Sequence, residues 1–264
     1  MGKKEKLLLC TSWKMNLSVF ESIEYAEKLI NFVDKAVPKN INLEIFIFPD
    51  FLSLYPISLL LKSSRIKLGA QDCFWEDKGA FTGEVSPLFL ADIGCSYVMA
   101  GHPERVKIFH EDLEIINKQV KAILRNNLTP ILFVVENEKK ENINLVCNDL
   151  KKQLFPALKG IDVKDLNKIV IIYEPAWAIG TGSSAPVEHT HEILSKLRDA
   201  LSSEYGQEVG QAQLFMYGGG VTLDSAKNIM QLENINGLGM GKAGLNFDFF
   251  AGAIKTAVEL LKNW

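Results

Sequence analysis

Ile169-Val170-Ile171-Ile172-Tyr173-Glu174-Pro175-Ala176-Trp177-Ala178-Ile179-Gly180-Thr181-Gly182 passes from an apolar, β-branched run into one acidic residue, then into a segment bounded by proline and glycine. The run through Tyr173 reads as a strand buried on both faces, as in a parallel sheet. Glu174 stands at the C-terminal tip of that strand, where a carboxylate is costly to desolvate unless it has a task. Pro175 gives the next segment a rigid start, Trp177 and Ile179 an apolar middle, and Gly180 and Gly182 a hinge. That composition suits a lid that closes over a site and excludes water. A base beneath a lid is the outline of a proton-transfer site.

Working outward, the same kind of run recurs at 7–10, 43–48, 66–69, 97–100, 130–135, 168–173, 213–217 and 237–240. Helical periodicity fills most of the gaps, at 19–32, 112–125, 144–158, 188–204, 223–232 and 247–261. Strand and helix alternating eight times predict a parallel α/β sheet, and eight units in a chain of 264 residues fit a closed (β/α)8 barrel. A doubly wound open sheet is the alternative. Residues 71–87 are expected to form a long loop, and Pro56 constrains the helix after the second strand. No linker or charge block interrupts the chain, so residues 1–264 are expected to form one domain.

The net charge of −3 offers no general attraction for nucleic acid or an anionic membrane, so any anion site must be local. Cys10, Cys73, Cys95 and Cys147 lack the spacing of a metal or disulfide framework and read as unpaired thiols of a reducing compartment. The start of the chain has no signal-like apolar region, and no run approaches the length of a membrane span. A cytoplasmic protein is expected.

In a barrel of this type the reactive groups gather where strands end. Those positions hold Lys14, His102, Glu174, the glycines at 218–220, and Gly241. Glu174 can take a proton from a carbon next to a carbonyl, His102 can hydrogen-bond the carbonyl oxygen, and Lys14 can balance an anion. The backbone of Gly218–Gly220 and Gly241 can cradle a phosphate. Lys14 follows its strand in a loop, with Glu104 as the expected partner, which argues against a Schiff-base lysine. His189 and His191 are expected on a solvated surface, His110 as a cap or surface residue, and Trp75 and Phe81 as interface or core anchors.

These segments resemble the triosephosphate isomerase family over nearly the whole chain. The resemblance rests on Ser12-Trp13-Lys14-Met15-Asn16, Gly69-Ala70-Gln71-Asp72, Gly79 to Pro87, Ala100-Gly101-His102-Pro103-Glu104-Arg105, the lid quoted above, and Tyr217-Gly218-Gly219. It implies a cofactor-independent aldose–ketose isomerase of small phosphorylated sugars, acting in glycolysis and gluconeogenesis. It also implies a homodimer through loop 72–87, with Thr82 of one chain reaching toward Lys14 and His102 of the other. This family is itself the type example of a neutral histidine electrophile at a helix N-terminus, and the resemblance carries that state to His102.

The departures fall around the chemical core. Ser12 replaces an asparagine, Pro103 a serine, Val106 a second arginine, and Phe133-Val134-Val135-Glu136 a Cys-x-Gly-Glu pattern. Ser183 replaces a lysine, Gly220 a loop serine, and Lys242 a glycine. Ser12 opens space near Lys14, Gly220 removes a phosphate donor, and Lys242 can add a charge. A paralogous branch acting on erythrulose phosphates is similar in its Thr-Ser-Trp-Lys-Met-Asn start and its basic residue after the eighth-strand glycine. L-erythrulose-1-phosphate isomerase, and a phosphate-binding paralog with little turnover, therefore stand as alternatives to triosephosphate isomerase. The expected catalytic set is Lys14, His102, Glu104 and Glu174. Ser12, Gly180, Gly219, Gly220, Gly241 and Lys242 are expected to hold substrate and phosphate, with no metal.

Overall fold

The computed structural model describes residues 6–263. Eight parallel strands close in sequence order: β1 Leu7–Ser12, β2 Leu43–Phe48, β3 Ile66–Ala70, β4 Cys95–Ala100, β5 Thr129–Glu136, β6 Val170–Pro175, β7 Leu214–Tyr217 and β8 Gly237–Met240. β8 pairs back onto β1, with Leu9 opposite Leu238, which makes a (β/α)8 barrel rather than an open sheet. The helices between and after the strands are α1 Val19–Ala36, α2 Phe51–Leu61, α3 Pro87–Asp92, α4 Pro103–Ile108, α5 Leu113–Arg125 and α6 Ile143–Leu158. They continue as α7 Val163–Leu166, α8 Val187–Tyr205, α9 Gln207–Ala212, α10 Leu223–Met230 and α11 Phe247–Lys262.

Alternation along each strand divides the apolar residues into two cores. Leu7 and Leu9 face the helix layer, whereas Leu8 and Cys10 face the barrel axis. Inside the barrel, Phe46 stacks on Tyr97 with ring centroids 4.1 Å apart and meets Phe48 edge-on at 5.6 Å. The aromatic packing fills the interior, as barrel layers do.

α2, the helix expected after the second strand, continues through Pro56. Proline removes one backbone donor, and the carbonyl left over is that of Leu52, a residue 81% exposed where water can take its place. Asp50 begins the helix by accepting from the N–H groups of Leu52 and Ser53. Strand β6 extends past Tyr173 to include Glu174 and Pro175, because β5 extends equally far and Val135 pairs with Glu174.

The long segment after β3 is tied down by its own contacts. Phe74 stacks on Trp75 at 4.0 Å and touches Phe81 at 4.5 Å. Arg125 donates to Asp77 at 2.9 Å and to the Trp75 carbonyl at 3.1 Å. All four cysteines are buried and free, and burial raises each thiol above its ordinary pKa. Among the described residues, no helix is long and apolar enough to cross a membrane.

Candidate active site

The end of β1 delivers Lys14 in a left-handed conformation, φ +50°, which a residue bearing a Cβ adopts at a cost of roughly 1–3 kcal/mol. Gln71 holds it there: its side-chain amide donates to the carbonyls of Lys14 at 3.0 Å and Phe48 at 3.1 Å. The ammonium then reaches Glu104, with Nζ and Oε1 2.5 Å apart. Glu104 is half exposed, so this pair contributes little stability, on the order of 1 kcal/mol or less. What it contributes is the position of the lysine.

His102 ends the turn after β4 and caps α4. Its Nδ1 accepts from the Glu104 N–H at 3.2 Å. An accepting Nδ1 carries no proton, so in the neutral ring the hydrogen sits on Nε2. Burial, then the Lys14 charge, pushes the His102 pKa down to about 4, against an upward pull from Glu104. The neutral state that the resemblance implied thus has a physical cause in this chain, with burial leading and the lysine second. Phe133 packs edge-on against the ring at 4.8 Å.

Glu174 is 5% exposed, and burial pushes its pKa up to about 7, with Lys14 pulling the other way. A carboxylate poised there takes and returns protons near neutral pH. Beneath α4, Arg105 bridges Asp72 at 2.8 Å and Glu111 at 2.6 Å. Gln119 donates to Asp72 at 3.0 Å. This buried cluster couples the root of the segment after β3 to the helix that carries His102 and Glu104.

The lid starts with a 3₁₀ turn, Ala176–Ala178, and passes Gly180 and Gly182 at φ +79° and +81°, values that favour glycine. Its far end is anchored where the Ala185 N–H donates to the Tyr217 hydroxyl at 2.8 Å. Under its near end, Glu136 is held by the Tyr173 hydroxyl and by His189 Nε2 at 3.0 Å. Trp177 meets His189 edge-on at 5.8 Å.

That placement corrects the reading of the two histidines as solvated surface. His189 is 11% exposed and belongs to the lid's support, and His191 is half-buried against Asn234 at 3.2 Å. Neither had a sequence signal, because its partners lie more than forty residues away. His110 is exposed, as expected, at φ +59°.

The strand ends and the lid enclose a cavity of about 390 Å³. Ser12, Lys14, His102, Glu174, Gly180, Gly219, Gly220, Gly241 and Lys242 all line it. Glu104 does not, and acts on the cavity through Lys14, which its carboxylate holds, and through His102, to which its backbone N–H donates. Lys242 is exposed at the first position of the 3₁₀ turn Lys242–Leu245. Sequence reading passed over Gln71, Arg105 and Tyr217, although all three stand inside or beside the quoted motifs. Each acts through a contact made only when distant loops meet.

A model of the family described as triosephosphate isomerase matches residues 7–257. The chain belongs to the triosephosphate isomerase family. It is 38% identical over 244 residues to the triosephosphate isomerase of Aquifex aeolicus, covering 92% of this chain and 96% of that protein. It is 36% identical over 244 residues to that of Caldanaerobacter subterraneus subsp. tengcongensis, with the same coverage. To that of Dictyoglomus thermophilum it is 37% identical over 249 residues, 94% of this chain and 98% of that protein. Matches of this length span the barrel and every segment of the site. The family is one of aldose–ketose isomerases.

Proposed function

We propose that this chain interconverts dihydroxyacetone phosphate and glyceraldehyde 3-phosphate through an enediolate. The observation that carries the reading is a buried Glu174 with its pKa near neutrality, sharing one lid-covered cavity with Lys14 and His102. Glu174 takes the proton from the carbon beside the carbonyl and returns it to the neighbouring carbon. His102 donates from Nε2 to the oxygen on which charge develops, and the Lys14 ammonium stabilises the same anion. Backbone N–H groups around Gly180, Gly219, Gly220 and Gly241 receive the phosphate. A coupled assay of the purified protein on dihydroxyacetone phosphate tests this, with turnover expected and its absence refuting the reading.

A four-carbon ketose phosphate is the second reading, favoured because Ser12 and Lys242, both departures from the family pattern, line the cavity. If Lys242 grips the phosphate, Lys242→Gly raises KM for the natural substrate by roughly tenfold, and less at high salt. The coupled assay is run beside L-erythrulose 1-phosphate, on the wild type and on Lys242→Gly with Ser12→Asn. A double variant whose preference between the two substrates does not move removes the case for the larger one.

The enzyme is further proposed to work as a homodimer through loop 72–87. Met15 is 93% exposed beside Lys14, Phe109 is 62% exposed at the end of α4, and Phe81 projects 41% exposed from the loop. A water-exposed apolar face around a reactive centre is the surface a second copy covers. Sedimentation at micromolar concentration is expected to give a dimer. A fully active monomer would refute the assignment.

A further inference from the structure

Gly218, Gly219 and Gly220 follow β7, and the bare backbone of each faces a different neighbour. A Cβ built on Gly218 would lie 2.6 Å from Ile172 Cγ2, beside the strand that carries Glu174. One on Gly219 would lie 2.4 Å from the Tyr217 hydroxyl and 2.7 Å from Pro175 Cγ, at the lid's rigid start. One on Gly220 would lie 2.6 Å from the Ser183 carbonyl oxygen and 2.7 Å from that of Ala178. These two carbonyls flank the lid's glycine tip. The Thr181 hydroxyl ties them together, 2.9 Å from the Ala178 oxygen and 3.3 Å from the Ser183 oxygen. A backbone carbonyl held this way does not swing aside as the end of a flexible side chain does.

We propose that Gly220 is the seat on which this lid closes: the absence of a side chain at 220 sets how far the lid descends over the cavity. Glycine here, in place of the family's serine, is then a positioning requirement of this chain's lid rather than a phosphate donor lost. The proposal rests on the isomerase reading for its catalytic consequence, but not for the geometry. Any Cβ at 220 lifts the tip, because real Cβ atoms do not approach an oxygen this closely. A raised tip admits water and loosens the grip on the phosphate. The enediolate then has an alternative route. Its oxyanion electron pair re-forms the terminal carbonyl, the carbon–carbon double bond shifts one place, and the carbon–oxygen bond to the phosphate breaks. Inorganic phosphate leaves, and the remaining enol ketonises to methylglyoxal.

The test uses the full chain with Gly220→Ala and Gly220→Ser. Amide exchange across residues 178–184, read by mass spectrometry, is expected to quicken in both variants while the melting temperature stays near that of the wild type. With dihydroxyacetone phosphate, kcat/KM falls roughly ten- to a hundredfold, and a larger share of consumed substrate appears as inorganic phosphate. If Gly220 marked only a missing donor, Gly220→Ser would lower KM and leave lid exchange alone. That result overturns the proposal. So does unchanged exchange in Gly220→Ala, or loss of cooperative melting, which would make Gly220 a requirement of the fold. A wild type that does not isomerise the triose refutes the isomerase reading by itself, while the exchange data still decide whether Gly220 seats the lid.

Discussion

Glu174→Asp lowers kcat by roughly a hundredfold or more and leaves the melting curve in place. Aspartate keeps the charge and the strand position but withdraws the carboxylate by one methylene, and a displacement of about 1 Å is enough to spoil a near-attack geometry by that factor. The fold tolerates the change because β6 is held by its ladder to β5 and β7, in which only the backbone of residue 174 takes part. The pH profile supplies a second reading of the same group. Glu174 must be ionised to accept a proton, and burial raises its pKa to about 7 against the Lys14 charge. In the free enzyme kcat/KM therefore falls as pH drops below about 7, with a slope of one proton. Aspartate in the same pocket keeps that acid limb while losing the rate. A variant with wild-type kcat, or a wild-type profile flat from pH 8 to pH 5, would remove Glu174 from the base role.

The barrel was legible because its cause is local. Runs such as 7–10 and Gly237–Met240 are apolar on both faces, and only a sheet covered on both sides uses such strands. The positions of Lys14, His102 and Glu174 were legible for a related reason. Each stands at or just past the end of such a run, so the fold alone places the three on one face. What did not show was whatever depends on the meeting of two distant loops. Gln71 holds the strained backbone of Lys14 from fifty-seven residues away. His189 reads as surface in its own helix, and only the arrival of Glu136 from β5 makes it part of the lid's support. Gly220 reads as a missing hydroxyl until the lid carbonyls are set beside it. Pro56 constrains its helix without breaking it, since Leu52, whose carbonyl loses its donor, is exposed to water.

His102→Gln lowers kcat by roughly a hundred- to a thousandfold with little change in KM, the cost of losing one donor aimed at a developing oxyanion. Glutamine fills similar space and still offers an N–H. It is not oriented by the Glu104 N–H that fixes the imidazole through Nδ1. Loss of activity alone does not separate a catalytic imidazole from a structural one, whereas the stability profile does. In the folded chain the His102 pKa is depressed to about 4, so between that value and the unfolded value near 6.5 the unfolded state binds more protons. Stability from this group is then fully present above about pH 6.5 and drains away as pH falls toward 4, a difference on the order of 3 kcal/mol. Glutamine does not titrate and has nothing to lose over that interval. Relative to the wild type, His102→Gln should therefore gain in melting temperature as pH is lowered from 7 to about 4.5. The gain should be several degrees for a chain of this size. A constant difference between the two proteins across that range would mean that the fold does not hold His102 neutral, and the imidazole would lose its standing as an uncharged donor.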